Sequence, residues 1–289
     1  MPGCSVRRGG QARRADESRR RQVATIVVTG GSSGVGLAAA KQFAARGDEV
    51  ILVGRDPRRL ADAVAQVRQA GGREPASFRA DFESFAEVRA LADQLLAGYQ
   101  RIDVLANNAG GMVGEYRRTA DGYEATIQSN HLSPFLLTTL LLPRLKDGRV
   151  VNTASRAHNR GRPDPDDLPG AKDRYDPWQA YGAGKTANIL FAAEAARRWP
   201  EVTSVSFHPG VVRTNFGTGR VIRFFYRYAP FLTTPEKAGE LLVWLATAPA
   251  GELVNGGYYV GHELTSPAPY ARDPQLAAAL WEASENAAG

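Results

Sequence analysis

The stretch Thr29-Gly30-Gly31-Ser32-Ser33-Gly34-Val35-Gly36 decides how this 289-residue chain is read. Before it stands the apolar run Val23-Ala24-Thr25-Ile26-Val27-Val28, which reads as a buried parallel strand. After it comes Leu37-Ala38-Ala39-Ala40-Lys41-Gln42-Phe43-Ala44-Ala45-Arg46, rich in helix formers and stopped by Gly47. Strand, glycine turn and helix together make a pyrophosphate cradle. The glycines let the main chain approach the phosphates, and the helix amino end offers unpaired N–H groups and positive partial charge. The spacing is GxxxGxG rather than GxGxxG, and an ordinary tight strand-to-helix turn is the bland alternative.

Working outward, short apolar runs alternate with longer amphipathic ones, the signature of βαβ units. Strands are expected to begin near Val23, Glu49, Ala76, Ile102, Arg149, Val202 and Gly257. Helices are expected near 34–46, 57–70, 84–98, 121–144, 178–199 and 235–247. The fold class is therefore α/β with a parallel sheet in one domain over 23–289. Ligands of such sheets bind outside the carboxyl ends of the strands. Thr29, Arg55, Asp81, Asn107, Ser155 and His208 all follow expected strands and should converge on one edge.

One further pair carries chemistry. Of ten tyrosines, Tyr181 alone has a lysine four residues on, in Tyr181-Gly182-Ala183-Gly184-Lys185. On a helix, that spacing puts phenol and ammonium on one face. A phenol ionises near pH ~10, and a neighbouring cation favours the phenolate, so the pair is a candidate general acid/base.

Composition excludes other classes. The net charge of +6 suggests a nucleic-acid binder until the charges are located. Residues 1–22 hold seven arginines against Asp16 and Glu17, a net of +5, which leaves +1 for the rest. This basic segment reads as a disordered tail, so nucleic acid is not the expected partner. The lone Cys4 supports neither an internal disulfide nor a cysteine metal site, and His131, His158, His208 and His262 lack metal-ligand spacing. No metal is expected, and a reducing cytoplasm is the expected location.

Together, Thr29-Gly30-x3-Gly34-x-Gly36, Asn107-Asn108-Ala109-Gly110, Asn130, Ser155, Tyr181/Lys185 and His208-Pro209-Gly210 resemble the short-chain dehydrogenase/reductase family. The resemblance runs from Thr29 to about His262. It implies a single doubly wound Rossmann-type domain of about seven parallel strands with helices on both faces. It also implies hydride transfer between a nicotinamide cofactor and a carbonyl or alcohol. It makes Tyr181 the proton donor and has Lys185 lower the tyrosine pKa and hold the nicotinamide ribose. Ser155 positions the substrate oxygen, and Asn130 holds a water in a relay to Lys185. Gly30, Ser32, Ser33, Gly34, Val35 and Gly36 cradle the phosphates. Asp81 and Phe82 approach the adenine, and Asn108, Ala109 and Gly110 wall the adenosine pocket, Asn108 chiefly as support. Pro209, Gly210, Val212 and Thr214 lie beside the nicotinamide.

The second strand ends Val53-Gly54-Arg55-Asp56. A site for NAD(H) usually has a carboxylate where Gly54 stands, whereas the Arg55 guanidinium suits a 2′-phosphate, so NADP(H) is expected over NAD(H). Asp56 complicates this, unless it caps the helix begun by Pro57.

Two departures from the family pattern stand out. Gly184 replaces the usual serine before the lysine, which should affect helix stability more than chemistry. The 26-residue interval from Ser155 to Tyr181 holds a proline-rich loop. With Asn188-Ile189-Leu190-Phe191, this loop most resembles the retinol-dehydrogenase-like branch. That implies a small lipophilic carbonyl or alcohol substrate. The aromatic, basic segment Phe216–Leu232, within 214–234, is expected to form a lid, with membrane contact as a lesser alternative. A homo-oligomer is compatible with the sequence. Rival readings are a non-catalytic NADP(H)-sensing protein on the same fold, or a light-dependent enzyme like protochlorophyllide reductase; the absence of any cysteine beyond Cys4 counts against the latter.

Overall fold

The computed structural model describes residues 23–170, 172–212, 232–249 and 251–289. The expected tail 1–22 and most of the expected lid segment 214–234, with Thr214, lie outside the described residues. The first half builds β1 (Thr25–Thr29), α1 (Gly34–Ala45), β2 (Glu49–Gly54), α2 (Pro57–Gly71), β3 (Ala76–Arg79), α3 (Phe85–Gly98) and β4 (Val104–Asn107). The second half builds α4 (Ala125–Ile127), α5 (Ser133–Leu141), β5 (Arg149–Thr153), α6 (Pro177–Arg198) and β6 (Thr203–His208). It ends with α7 (Pro235–Thr247), β7 (Tyr258–Val260), β8 (Glu263–Leu264) and α8 (Pro274–Ala288).

The strands form one sheet in the order β3-β2-β1-β4-β5-β6-β7-β8. The seven expected strands are parallel, and β8 pairs antiparallel with β7. β8 has two residues, too few for any period to be read from sequence. Chain direction across the sheet reverses between β1 and β4, whose neighbours β2 and β5 lead to opposite edges. In open α/β sheets ligands bind at such a switch point, outside the carboxyl ends of the strands.

Alternation along each strand feeds two cores. Val27, Ile51, Val53, Leu105 and Val150 face one layer, with α3, α5, α6 and α8. Ile26, Val28, Leu52, Ala106, Val151 and Phe207 face the other, with α1, α2 and α7. Phe43, Phe135 and Phe207 are fully buried, each stabilising the fold by roughly 2–3 kcal/mol. In the α8 layer Trp281 packs against Phe135 at 5.0 Å and Trp199 at 4.8 Å between ring centroids. This docking holds the C-terminal helix, which the helix expectations ended short of. Its signals were present: Asp273 accepts from the Gln275 and Leu276 amides, and Pro274 starts the helix.

The expected helix over 121–144 is interrupted. Gln128–Leu132 forms a π turn, in which the Ser133 amide donates to Gln128 O. Pro134 gives the reason. Its ring excludes an ordinary helical fit against the carbonyl of residue 130, and widening the turn by one residue relieves the clash. The widened turn presents Asn130.

Candidate active site

The glycine turn is built by close approach. Gly30 and Gly34 have φ of 64° and 56°, conformations that side chains disfavour. A Cβ on Gly36 would stand 2.5 Å from both Gly30 O and Asn108 Nδ2, so residue 36 must be glycine. Thr29 Oγ1 donates to Ala106 O at 3.0 Å and accepts from the amides of Asn108 and Ala109 at 2.9 and 3.0 Å. Asn108 Nδ2 donates to Thr29 O at 3.0 Å. The Asn108 side chain thus stitches β4 to the turn, the supporting position expected for it.

The start of α1 is the telling feature. Asp56, Ser84, Glu124, Asp176, Thr234 and Asp273 each cap a described helix through a side chain. Ser33 makes no such bond, and the first turn of α1 holds no acidic residue. The α1 amides and their positive partial charge therefore stay available to an anion. An anionic group such as a dinucleotide pyrophosphate suits these free amides.

Ser32 lies against Gly54: a Cβ there would meet Ser32 Oγ at 3.0 Å. Arg55 is thereby set beside the cradle. Its side chain is 68% exposed and reaches Glu83 at 3.5 Å. Glu83 also pairs with Arg117, whose hydrogen bond holds its carboxyl below the usual range. Asp56 spends Oδ1 on the Arg58 and Arg59 amides at 2.9 and 3.1 Å, as a helix cap. Asp81 Oδ1 accepts from the Glu83 amide at 3.1 Å. The Phe82 ring packs in the core and its carbonyl accepts from Ser133, so a nucleotide contact at Phe82 would come from the backbone.

Lys185 is 3% exposed. Its Nζ donates to Thr153 O at 3.0 Å and lies 5.3 Å from the centroid of the Tyr181 ring. Burial pulls its pKa from 10.5 to about 7, because taking a charge out of water favours the neutral amine. Asn188 Nδ2 shares the Thr153 carbonyl at 3.1 Å. Asn130 Nδ2 donates to Gly111 O and Thr126 O, both at 2.8 Å. Its Oδ1 is buried without a protein partner, directed at Gly110. Such an acceptor suits a bound water.

Gly184 faces the π turn. A Cβ there would stand 3.2 Å from the Asn130 Cβ, so a side chain at 184 would press on the π turn. Tyr175, which has Gln179 rather than a lysine four residues on, donates to Val113 O at 2.7 Å and ties the proline-rich loop down. Burial pushes its pKa up to about 12.

Ser155 ends the strand side of the site; its Oγ accepts from the Ala157 amide at 3.1 Å and keeps its own proton to donate. His208 closes β6 and its Nδ1 accepts from the Arg156 amide at 3.3 Å; burial lowers its pKa to about 4. Beyond it, Gly210 has φ of 90° and Val212 pairs with Thr233, which draws together the two ends of the 213–231 segment. Pro209, Gly210 and Val212 thus sit on the same edge as Thr29, Arg55, Asp81, Asn107 and Ser155, each at or just beyond the carboxyl end of its strand. Sequence reasoning did not assign Thr153 O or Asn188 to the lysine. The three-residue step from Lys185 to Asn188, one helical turn, was the available signal.

Among the described residues there is no group of three or more metal-ligating side chains, and no helix is long and apolar enough to cross a membrane.

Comparison with known proteins places the site in context. The short chain dehydrogenase family model matches residues 24–221. The chain is 51% identical over 265 residues to the "Putative daunorubicin C-13 ketoreductase DnrU" of Streptomyces sp. (strain C5), covering 92% of each protein. It is 35% identical to human retinol dehydrogenase 12, over 90% of this chain and 84% of that one. A solved short chain dehydrogenase of Escherichia coli CFT073 complexed with NADPH superposes with a TM-score of 0.67 and 28% identity, covering 82% of this chain and 96% of that one.

Proposed function

Because this chain belongs to the short chain dehydrogenase family, with ketoreductase and retinol dehydrogenase relatives, we propose that it is an NADP(H)-dependent oxidoreductase reducing a lipophilic ketone. The observation that carries the reading is the buried Lys185 side chain, whose Nζ donates to Thr153 O at 3.0 Å and stands 5.3 Å from the centroid of the Tyr181 ring, a position that holds a cation beside the phenol whenever the amine is protonated. A cation in that position lowers the cost of ionising the phenol as its proton leaves.

When bound, the nicotinamide supplies the hydride. The residues of the chain do the rest. The Ser155 hydroxyl donates to the carbonyl oxygen and fixes its position, stabilising charge that develops there. Tyr181 gives the proton. Lys185 offsets the resulting phenolate, and the unpartnered Asn130 Oδ1 holds a water for proton resupply. Gly30, Ser32, Ser33, Gly34, Val35, Gly36 and the open amino end of α1 hold the pyrophosphate. Arg55 favours a 2′-phosphate, and Asp56, committed to its cap, does not compete for the ribose. The daunorubicin and retinol in the relatives' names support a lipophilic substrate. The lid, Thr214 and the cytoplasmic location belong to the same proposal.

Fluorescence titration of the purified protein with NADPH and NADH, followed by reduction assays on daunorubicin and retinal, tests it. Tight NADPH binding and turnover of a ketone support the reading. Preference for NADH overturns the Arg55 argument. Binding of neither by folded protein overturns the enzyme.

A further inference from the structure

His158 lies three residues beyond Ser155 and is 3% exposed, yet nothing in the proton-transfer scheme uses it. Both ring nitrogens are engaged. Nδ1 lies 2.7 Å from Ser155 O, and the Ala268 amide donates to Nε2 at 3.2 Å. An amide nitrogen has only a proton to offer, so Nε2 must be the unprotonated acceptor. Nδ1 then carries the hydrogen and donates it to Ser155 O. The tautomer is set by a backbone group more than a hundred residues away in sequence.

The rest of the residue is equally committed. His158 O accepts from Thr186 Oγ1 at 3.1 Å and from Tyr270 OH at 2.6 Å. Thr186 follows Lys185 on α6. The Tyr258 ring stands edge-on to the imidazole at 5.2 Å, which fixes its plane. His158 therefore joins the serine's main chain, the helix bearing Tyr181 and Lys185, and the C-terminal segment 268–270. The joint is close-fitting: a Cβ on Gly182 would stand 2.6 Å from Ala157 O and 2.8 Å from Gly161 N.

We propose that His158 is a positioning residue for Ser155: its Nδ1–H, held in that tautomer by the Ala268 amide, fixes the Ser155 peptide and thereby the direction of Oγ toward the substrate oxygen. The proposal rests on the substrate-positioning role of Ser155 given above. A misplacement of about 1 Å at such a group can lower turnover about 100-fold.

The two nitrogens can be separated by substitution. Asparagine can donate from the Nδ1 position, and the neighbouring Asn159 already makes the equivalent bond, Nδ2 to Arg156 O at 3.0 Å. Glutamine reaches the Nε2 position but its side chain offers no donor near Ser155 O, which keeps only the main-chain amide of residue 158 at 3.0 Å. The test compares His158→Asn, His158→Gln and Ser155→Ala in NADPH-linked reduction of daunorubicin, with NADPH affinity and thermal midpoint measured for each. His158→Gln should lower kcat about 10- to 100-fold with NADPH affinity unchanged, whereas His158→Asn should stay within about 3-fold of wild type. Equal losses in the two variants, or a wild-type rate in His158→Gln while Ser155→Ala is impaired, overturn the proposal alone. A wild-type rate in Ser155→Ala overturns the serine reading and the proposal with it. A second measurement needs no variant or turnover: 15N NMR of the histidine-labelled wild type should show His158 as the Nδ1–H tautomer, and an Nε2–H signal contradicts the proposal.

Discussion

The cofactor half of the site and its substrate half are held in different ways. Around the glycine turn, close approach leaves no room for side chains: Gly36 admits no Cβ, and Thr29 Oγ1 and Asn108 Nδ2 each bond to main chain across the β1–β4 junction. Around Ser155 and Tyr181, long-range side-chain bonds do the holding, from His158 to Ala268 and from Tyr175 to Val113. The first arrangement, a turn closed by glycines, tolerates no added side chain and suits one invariant ligand part, a pyrophosphate. The second can be re-cut by single side-chain changes and suits variable substrates. That contrast explains how one fold keeps its cofactor while its substrates change.

The comparison is sharpened most by Tyr181→Phe. It should lower kcat by about 10³-fold while NADPH affinity stays unchanged, since only the proton donor is lost. Stopped-flow turnover beside a binding titration reads both quantities. On the other side, Gly36→Ala should reverse the pattern. Its Cβ would lie 2.5 Å from the Gly30 carbonyl, so NADPH binding should weaken at least about 10-fold and the fold lose roughly 1–3 kcal/mol in denaturant unfolding. An alanine variant that binds normally would break the contrast.

Arg55→Ala should weaken NADPH about 10-fold and leave NADH unchanged, because the guanidinium is exposed and its contribution is partly screened. Gly184→Ala should lower kcat only about 2- to 5-fold, through pressure on Asn130, with cofactor affinity intact.

The smallest effect is on stability. The pKa of Lys185 falls from 10.5 unfolded to about 7 folded. Between those values the unfolded chain binds more protons, so wild-type stability rises with pH across that window. Below about pH 7 the desolvation penalty stands in full. Lys185→Met should therefore raise the thermal midpoint by ~2 °C or more at pH ~6, with the gain shrinking toward pH ~10. A gain that grows with pH contradicts the burial argument.

How much of this was legible in the sequence follows the same division. The glycine turn, the Tyr181–Lys185 step and the strand ends are local patterns, because backbone conformation and helix periodicity are local physics. The pairing of Thr153 O with Lys185 and the joint at His158 were not legible, since each depends on which elements the fold brings together. The π turn lay between: Pro134 announced a disturbance, but its form depended on packing of α6 through Gly184. α8 is signalled in the sequence by Asp273 and Pro274, and β8 is too short for any pattern.

The most direct test of the central claim follows the hydride. NADPH deuterated at the nicotinamide C4 would be incubated with daunorubicin and the wild-type protein, and the product examined by mass spectrometry. The account predicts an alcohol carrying one deuterium on the carbinol carbon for each NADPH consumed. Protein that binds NADPH but gives no labelled alcohol from daunorubicin or from any lipophilic ketone would contradict it.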